Sequence, residues 1–224
     1  MNLKRDPLFA DLVARLTGDG HLQFDKSLVS FYSKNIEEIN NVKKVVYNLF
    51  RVSGKIYVDN REPKRYKLFF ISAPLSIYLK GVGVPVGNKT NVAFDVPDWI
   101  LEGEKKIKRA YLQGIYDSEG YVYSNKSGRK LRWRIGISMC KNENIVENGI
   151  SYMDQLRSML SLFDIISSPV RTRHINIRKD GSKSREAIFE IEFSSFRNFY
   201  KYVGFKNKKK QDKLTESLAI CGGN

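Results

Sequence analysis

Apolar residues along this chain fall at two spacings, helical and alternating, and the order of the two is run through twice. The first segment, which runs from Asp6-Pro7 as N-cap and first helical residue into LVARLTGDG, sets Leu12, Val13 and Leu16 on a helix. Alternating segments at about His21–Phe24 and Leu28–Tyr32 predict two strands. Ile39, Val42, Val46 and Leu49 then mark the apolar face of a helix from about Ile36 to Phe50. A hairpin, Lys55–Val58 and Tyr66–Ile71, turns through NREP, and a last helix runs from near Pro74 to Val82-Gly83. The predicted order is αββαββα.

The second pass repeats it. A helix over about Lys105–Glu119 leads into strands at Tyr121–Ser124 and Leu131–Ser138, joined by NKSGRK. A helix over about Ile145–Leu162 follows, then a hairpin, Val170–Arg178 and Ala187–Phe193, turning through KDGS, and a helix from near Ser195. Local echoes set the register: Ser33-Lys34-Asn35 against Cys140-Lys141-Asn142, and Tyr78–Gly83 against Tyr200–Gly204. The stretch Val84–Asp98, with Pro85 and Pro97, reads as a linker. The expected organisation is a half over residues 1–84, a linker over 85–98 and a second half over 99–224. The fold class is α+β, two pseudo-symmetric αββαββα halves, each with a four-stranded antiparallel, saddle-like sheet covered by helices on one face.

The first helix of each half ends in the same way. LVARLTGDG spans Leu12–Gly20 and LQGIYDSEG spans Leu112–Gly120, so the acids Asp19 and Glu119 lie 100 residues apart (119 − 19). A carboxylate at a helix C-terminus meets the negative end of the macrodipole, and two such ends together repel. A bound divalent cation reverses the sign of both effects, since carboxylates and backbone carbonyls are the hard oxygen ligands magnesium takes. Upstream, Ala14 and Gly18, and likewise Gly114 and Ser118, place small side chains four apart on one helix face, the spacing that lets two helix backbones approach closely.

These segments resemble the paired motifs of LAGLIDADG homing endonucleases in their single-chain form with two repeats, and the resemblance covers nearly the whole chain. Motif two keeps Leu112, Gly114, Ile115, Asp117, Glu119 and Gly120. Motif one departs at Arg15, where the family usually has Gly, and at Thr17, where it often has Asp. The resemblance implies halves packed through the two motif helices, and catalytic metals bound by Asp19 and Glu119 with the carbonyls of Gly18 and Ser118. Mg2+ is the implied cofactor, with Mn2+ as an alternative. Lys34 and Lys141, each expected to follow the second strand of its half, are the implied basic residues of the active site. Ser33 and Cys140 stand beside them, where relatives often carry an amide such as Gln. The implied activity is cleavage of both strands of a long, asymmetric DNA site across the minor groove, leaving short 3′ overhangs. The implied biology is homing of an encoding intron; an intein origin is less expected, because the chain starts with Met1 and ends in CGGN without a His-Asn pair.

Charge agrees on the partner. Lys plus Arg outnumber Asp plus Glu by 39 to 24, a formal net charge of +15, which favours a polyanion through release of condensed counterions. No apolar run approaches the roughly 20 residues of a membrane span, and MNLKRDPLF passes straight into the first helix without a secretory signal. An intracellular monomer, in cytoplasm, nucleoid or organelle, is therefore expected. Cys140 and Cys221 offer no disulfide framework, and with only His21 and His174 a zinc site lacks ligands.

The open sheet faces are the expected readers of duplex DNA, whose major groove admits β-ribbons and presents guanine to Arg and adenine to Asn. In LRWRIGIS, Arg132, Arg134, Gly136 and Ser138 alternate with apolar residues. In the following hairpin Arg171, Arg173, Ile175 and Ile177 alternate with Thr172, His174, Asn176 and Arg178, and neither set is clearly apolar. Lys179, Lys183 and Arg185 continue the basic turn. Gln23, Lys55, Tyr57 and Lys67 in half one, and Tyr123 and Asn125 in half two, complete the expected contacts. The C-terminal run Lys206, Lys208, Lys209, Lys210 and Lys213 reads as a generic phosphate contact or a solvated tail. Two further classes stay open: an RNA-splicing maturase, which would prefer structured RNA, and a DNA-binding protein with a dead nuclease fold.

Overall fold

Asp6 starts the first helix, α1 (Pro7–Gly18), by accepting a hydrogen bond from the Phe9 amide at 2.9 Å, and Pro7 sits where no donor is needed. The computed structural model describes residues 5–60, 63–127, 130–173, 175–178 and 180–220; His174, Lys179, Cys221 and the tips of the NREP and NKSGRK turns lie outside them. Half one continues with β1 (Gly20–Gln23), β2 (Leu28–Ser33), α2 (Ile36–Phe50), β3 (Lys55–Asp59), β4 (Arg65–Ile71) and α3 (Ala73–Gly81). Its sheet is antiparallel in the order β1-β2-β4-β3. Val29, Phe31, Leu68 and Phe70 turn one face to Ile39, Val42 and Val46 of α2 and are buried.

After a short helix, α4 (Asp98–Leu101), half two runs α5 (Lys105–Glu119), β5 (Gly120–Ser127), β6 (Lys130–Asn142), α6 (Val146–Ser161), β7 (Arg171–Thr172), β8 (Asn176–Ile177), β9 (Lys183–Glu190), α7 (Phe196–Tyr202) and α8 (Lys208–Ile220). The second sheet has the order β5-β6-β9-β7, with β8 also paired to β9. Three features differ from the expectation. Strand β6 continues to Asn142, so Lys141 lies inside it rather than after it. The fourth strand is split, because its pairing with β9 slips by one residue: Arg171 opposes Ile188, whereas Ile177 opposes Lys183. That slip explains why neither alternating set in this hairpin was apolar throughout. Finally, the basic C-terminal run is no free tail, since Leu214 is buried and α8 packs on α7 and β5. Among the described residues no helix is long and apolar enough to cross a membrane.

The halves join through α1 and α5. A Cβ on Gly18 would stand 2.3 Å from the Ser118 Cβ, and one on Gly114 would stand 2.8 Å from the Ala14 Cβ. The helix backbones thus touch at two levels, one helical turn apart, and the small residues at these positions are what permits it. Arg15 does not open this seam. Its buried guanidinium turns aside to donate to Asp11 at 3.1 Å, to Glu38 on α2 and to Asp117 on α5.

Candidate active site

The close approach of α1 and α5 carries Asp19, just past the end of α1, and Glu119, the last residue of α5, to the same end of the seam. Burial raises the pKa of both carboxyl groups; for Glu119 the charge of Asp19 adds to the rise, and the charges of Lys89 and Lys210 oppose it in both. Lys89, from the segment between α3 and α4, donates from Nζ to the Thr17 carbonyl at 2.8 Å and to the Gly18 carbonyl. Lys210, in the first turn of α8, donates to the Tyr116 carbonyl at 3.2 Å and to the Asp117 carbonyl. Each ammonium therefore occupies the negative end of a motif helix. Burial pushes the Lys89 amine down to about 8 against the pull of Glu119 and Asp19, and lowers Lys210 against four carboxylates, those of Asp117, Asp19, Glu38 and Glu119.

Lys89 is not among the residues the sequence points to, and Lys210 figures there only within the basic C-terminal run, although a signal for both exists. Lys89 lies six residues past Gly83 and Lys210 six past Gly204, the glycines that end the echoed segments (89 − 83 and 210 − 204). Both glycines have positive φ, +97° and +57°, and turn the chain out of α3 and α7. The two expected basic residues differ in their surroundings. Lys34 sits exposed in the bend between β2 and α2. Lys141 is fully buried; its Nζ donates to the Lys89 and Val92 carbonyls at 2.9 and 2.6 Å and lies 3.7 Å from the centroid of the Phe94 ring. Lys141 thus differs in place from the expectation: the lengthening of β6 puts it on the helix-covered side of the sheet, buried.

The expected ligands, Asp19, Glu119 and the carbonyls of Gly18 and Ser118, would offer a small set of hard oxygen donors. Among the described residues no group of three or more His, Cys, Asp or Glu side chains stands ready for a metal. Such a set fits an ion that keeps several of its own waters, as magnesium does, and not zinc. The Gly18 oxygen already accepts from Lys89, so an ion bound there would share it with an ammonium.

Beside the acids, a cleft of about 550 Å³ is lined by His21, Lys89, Thr90, Glu119, Ser138 and Cys140, among others. The sheet faces flank it. In half one, cross-strand pairing puts Tyr57, Lys67 and Tyr32 in one row and Lys55 in the next, on the face without helices, and Gln23 shares that face. Lys67 Nζ lies 5.7 Å from the Tyr32 ring centroid. In half two, Tyr123 opposes Arg134 and Asn125 opposes Arg132. Glu190 accepts from Arg134 at 2.8 and 3.1 Å, from Arg171 at 3.2 Å and from Tyr121 at 3.1 Å, and Arg173 pairs with Glu186 at 2.9 Å. Arg178 reaches back to the Thr90 hydroxyl at 2.9 Å. Arg185 departs from the expected face: it opposes Lys141, on the helix side, and pairs with Glu143 at 3.0 Å, while Lys183, of the same parity, is exposed at the end of β9.

Comparison with known proteins agrees with this geometry. Residues 106–204 match the profile described as a LAGLIDADG-like domain. A replication factor C small subunit of Methanocaldococcus jannaschii is 28% identical over 210 residues, 88% of this chain but 11% of that protein. A tRNA-splicing ligase of Pyrococcus abyssi is 28% identical over 66% of this chain and 17% of its own length. The RNA polymerase subunit Rpo1N of M. jannaschii is 23% identical over 95% and 17%. The chain thus spans about a tenth to a sixth of these relatives. Among solved structures, variants of the homing endonuclease I-DmoI superpose with a TM-score of 0.54 at 16% identity, covering 94% of this chain and 97% of theirs. The homing endonuclease I-WcaI bound to its DNA recognition sequence gives 0.55 at 14% identity, covering 96% and 88%. Full-length WhiA from Thermatoga maritima gives 0.52 at 11% identity, covering 96% and 61%. At these identities the likeness is one of fold.

Proposed function

We propose that this chain, whose residues 106–204 match the LAGLIDADG-like domain and whose fold is that of I-DmoI and I-WcaI, is a site-specific, divalent-metal-dependent endonuclease of double-stranded DNA. The observation that carries the reading is the meeting of Asp19 and Glu119 at one end of the helix seam, with an ammonium on each motif helix and a polar, basic sheet face on either side. The fold alone would not decide, because WhiA shares it.

Asp19 and Glu119 would hold magnesium or manganese, which supplies a water of lowered pKa and offsets charge on the scissile phosphates. Lys89 and Lys210 place donors where negative charge grows on the phosphate oxygens, one beside each motif helix. The two sheet faces hold the duplex across the seam: Lys55, Tyr57 and Lys67 on one side, and Arg132, Arg134, Tyr123 and Asn125 on the other. Cleavage of both strands across the minor groove follows from the family resemblance. A biology of homing is supported by the relatives, in which the matched stretch is a minor part of proteins of unrelated activity, the distribution of a mobile insert.

Incubation with a randomised duplex library, in magnesium and in EDTA, tests this for wild type and Asp19→Asn. One long motif cut by wild type only in magnesium, and not by Asp19→Asn, is the expected result. Enrichment by binding without cutting in any divalent metal would turn the reading to a regulator or, if structured RNA competes, a maturase.

A further inference from the structure

Lys141 is fully buried and, among the described residues, no carboxylate is hydrogen-bonded to it, though the charge of Asp95 favours its protonated form. A buried ammonium is costly unless its donors are satisfied, and here residues 89 to 94 of the connecting segment satisfy them. The Lys89 and Val92 carbonyls accept at 2.9 and 2.6 Å, and the Phe94 ring lies 3.7 Å away, in cation–π contact. The stem fits because Gly149 of α6 has no side chain, where a Cβ would approach the Lys141 Cγ to 2.8 Å.

The neighbours of Lys141 grip the same segment. The Asn142 amide donates to the Thr90 carbonyl at 2.8 Å and its side chain to Asn91 at 3.1 Å. Arg178 donates to the Thr90 hydroxyl, and the Phe94 amide donates to Asn148 at 2.9 Å. Upstream, the Gly87 amide donates to the Leu22 carbonyl at 2.8 Å, in half one. Lys89 therefore stands where the segment crosses from one half to the other, with its backbone carbonyl tied to Lys141 and its side chain at the end of α1.

We propose that Lys141 is a positioning residue: by clamping the backbone at Lys89 and Val92 it delivers the Lys89 ammonium to the acid pair, so that cleavage of one DNA strand depends on it. This rests on the endonuclease reading. Misplacement of a donor by about 1 Å can cost on the order of a hundredfold in rate, so loss of a buried clamp has a large effect without touching DNA.

The test compares wild type, Lys141→Met, Gly149→Ala and Lys89→Met, each checked for a cooperative melt. One readout is strand-resolved cleavage of an end-labelled duplex carrying the selected site; the other is hydrogen exchange at residues 90–94 in the metal-free, DNA-free protein. Lys141→Met is expected to slow the same strand as Lys89→Met, by at least about tenfold, with the other strand's rate and the DNA affinity within about twofold. Exchange at 90–94 rises in Lys141→Met and stays as in wild type in Lys89→Met. Gly149→Ala displaces the Lys141 stem while keeping its charge, and gives the same strand bias and faster exchange to a smaller degree. It decides the matter if Lys141→Met does not fold. Equal slowing of both strands, or unchanged exchange at 90–94, overturns the proposal. If wild type cuts no duplex, the endonuclease reading fails, and the exchange arm still shows whether Lys141 holds the segment.

Discussion

Lys89 and Lys210 reach equivalent places, the carbonyl ends of α1 and α5, on unlike supports. Lys89 lies on irregular chain between the halves, pinned by a buried lysine of the opposite half. Lys210 lies in the first turn of a helix, whose approach is fixed by Asp117 accepting from the Lys206 and Asn207 amides at 2.9 and 3.1 Å. Asp117 in turn is held by Arg15, which also bonds Asp11 and Glu38. Across the seam the matching positions are free of charge: Thr17 donates to the Val13 carbonyl at 2.9 Å, and the Tyr111 and Tyr152 hydroxyls meet at 3.0 Å. The site is thus symmetric in its chemistry and asymmetric in what holds it. The same charge position is reached by two different routes in the two halves.

The acids are where the halves should behave alike. Asp19→Asn and Glu119→Gln are each expected to slow double-strand cleavage by at least about a thousandfold, several kcal/mol of lost charge stabilisation, with DNA affinity retained; cleavage assays paired with binding titrations check this. The supports are where they should differ. Arg15→Leu leaves Glu38 and Asp117 buried without the Arg15 cation, and Asp11 with Lys206 alone, and is expected to cost about 3–5 kcal/mol in denaturant unfolding. The strand that depends on Lys210 should suffer more than the one that depends on Lys89. Lys89→Met and Lys210→Met should each slow one strand by on the order of a hundredfold, as removal of a single transition-state donor does, and should nick complementary strands. Arg132→Ala should weaken DNA binding by roughly 1–3 kcal/mol and relax preference at one position of the site.

The smallest effect runs opposite in sign. Burial raises the folded-state pKa of Asp19 and Glu119, so their ionisation counts against folding once pH rises past those values. Near neutral pH, without metal, Asp19→Asn is therefore expected to raise Tm, by about 2–4 °C for each kcal/mol regained. Added magnesium should raise the wild-type Tm more than that of the variant. A lower Tm for Asp19→Asn in EDTA would show that Lys89 and Lys210 outweigh the burial of the acid.

Much of this was legible in the sequence where the signal is local. Asp6-Pro7, the period of α2, and the acid-glycine endings each act over one helical turn, and the structure keeps α1, α2 and α5 within about a residue of expectation. Lys89 and Lys210 leave only a weak trace in the sequence, their matched spacing from Gly83 and Gly204, since the left-handed turns at those glycines redirect the chain toward the seam. Lys141 misled for a related reason. In β6 it follows Met139 and Ile137 on the buried face, where alternation calls for an apolar residue, so its polarity read as exposure. The charged network around Arg15 was hidden too, because its members come from α1, α2 and α5.

Cleavage of one defined duplex, carrying the selected site and labelled on each strand, tests the central claim most directly. Wild type and Asp19→Asn are compared in magnesium and in EDTA, with affinity measured on the same duplex. The account predicts that wild type cuts both strands only in magnesium, and that Asp19→Asn binds equally well and cuts neither. Tight binding by wild type with no cut in any divalent metal, or cutting by Asp19→Asn at the wild-type rate, would contradict it.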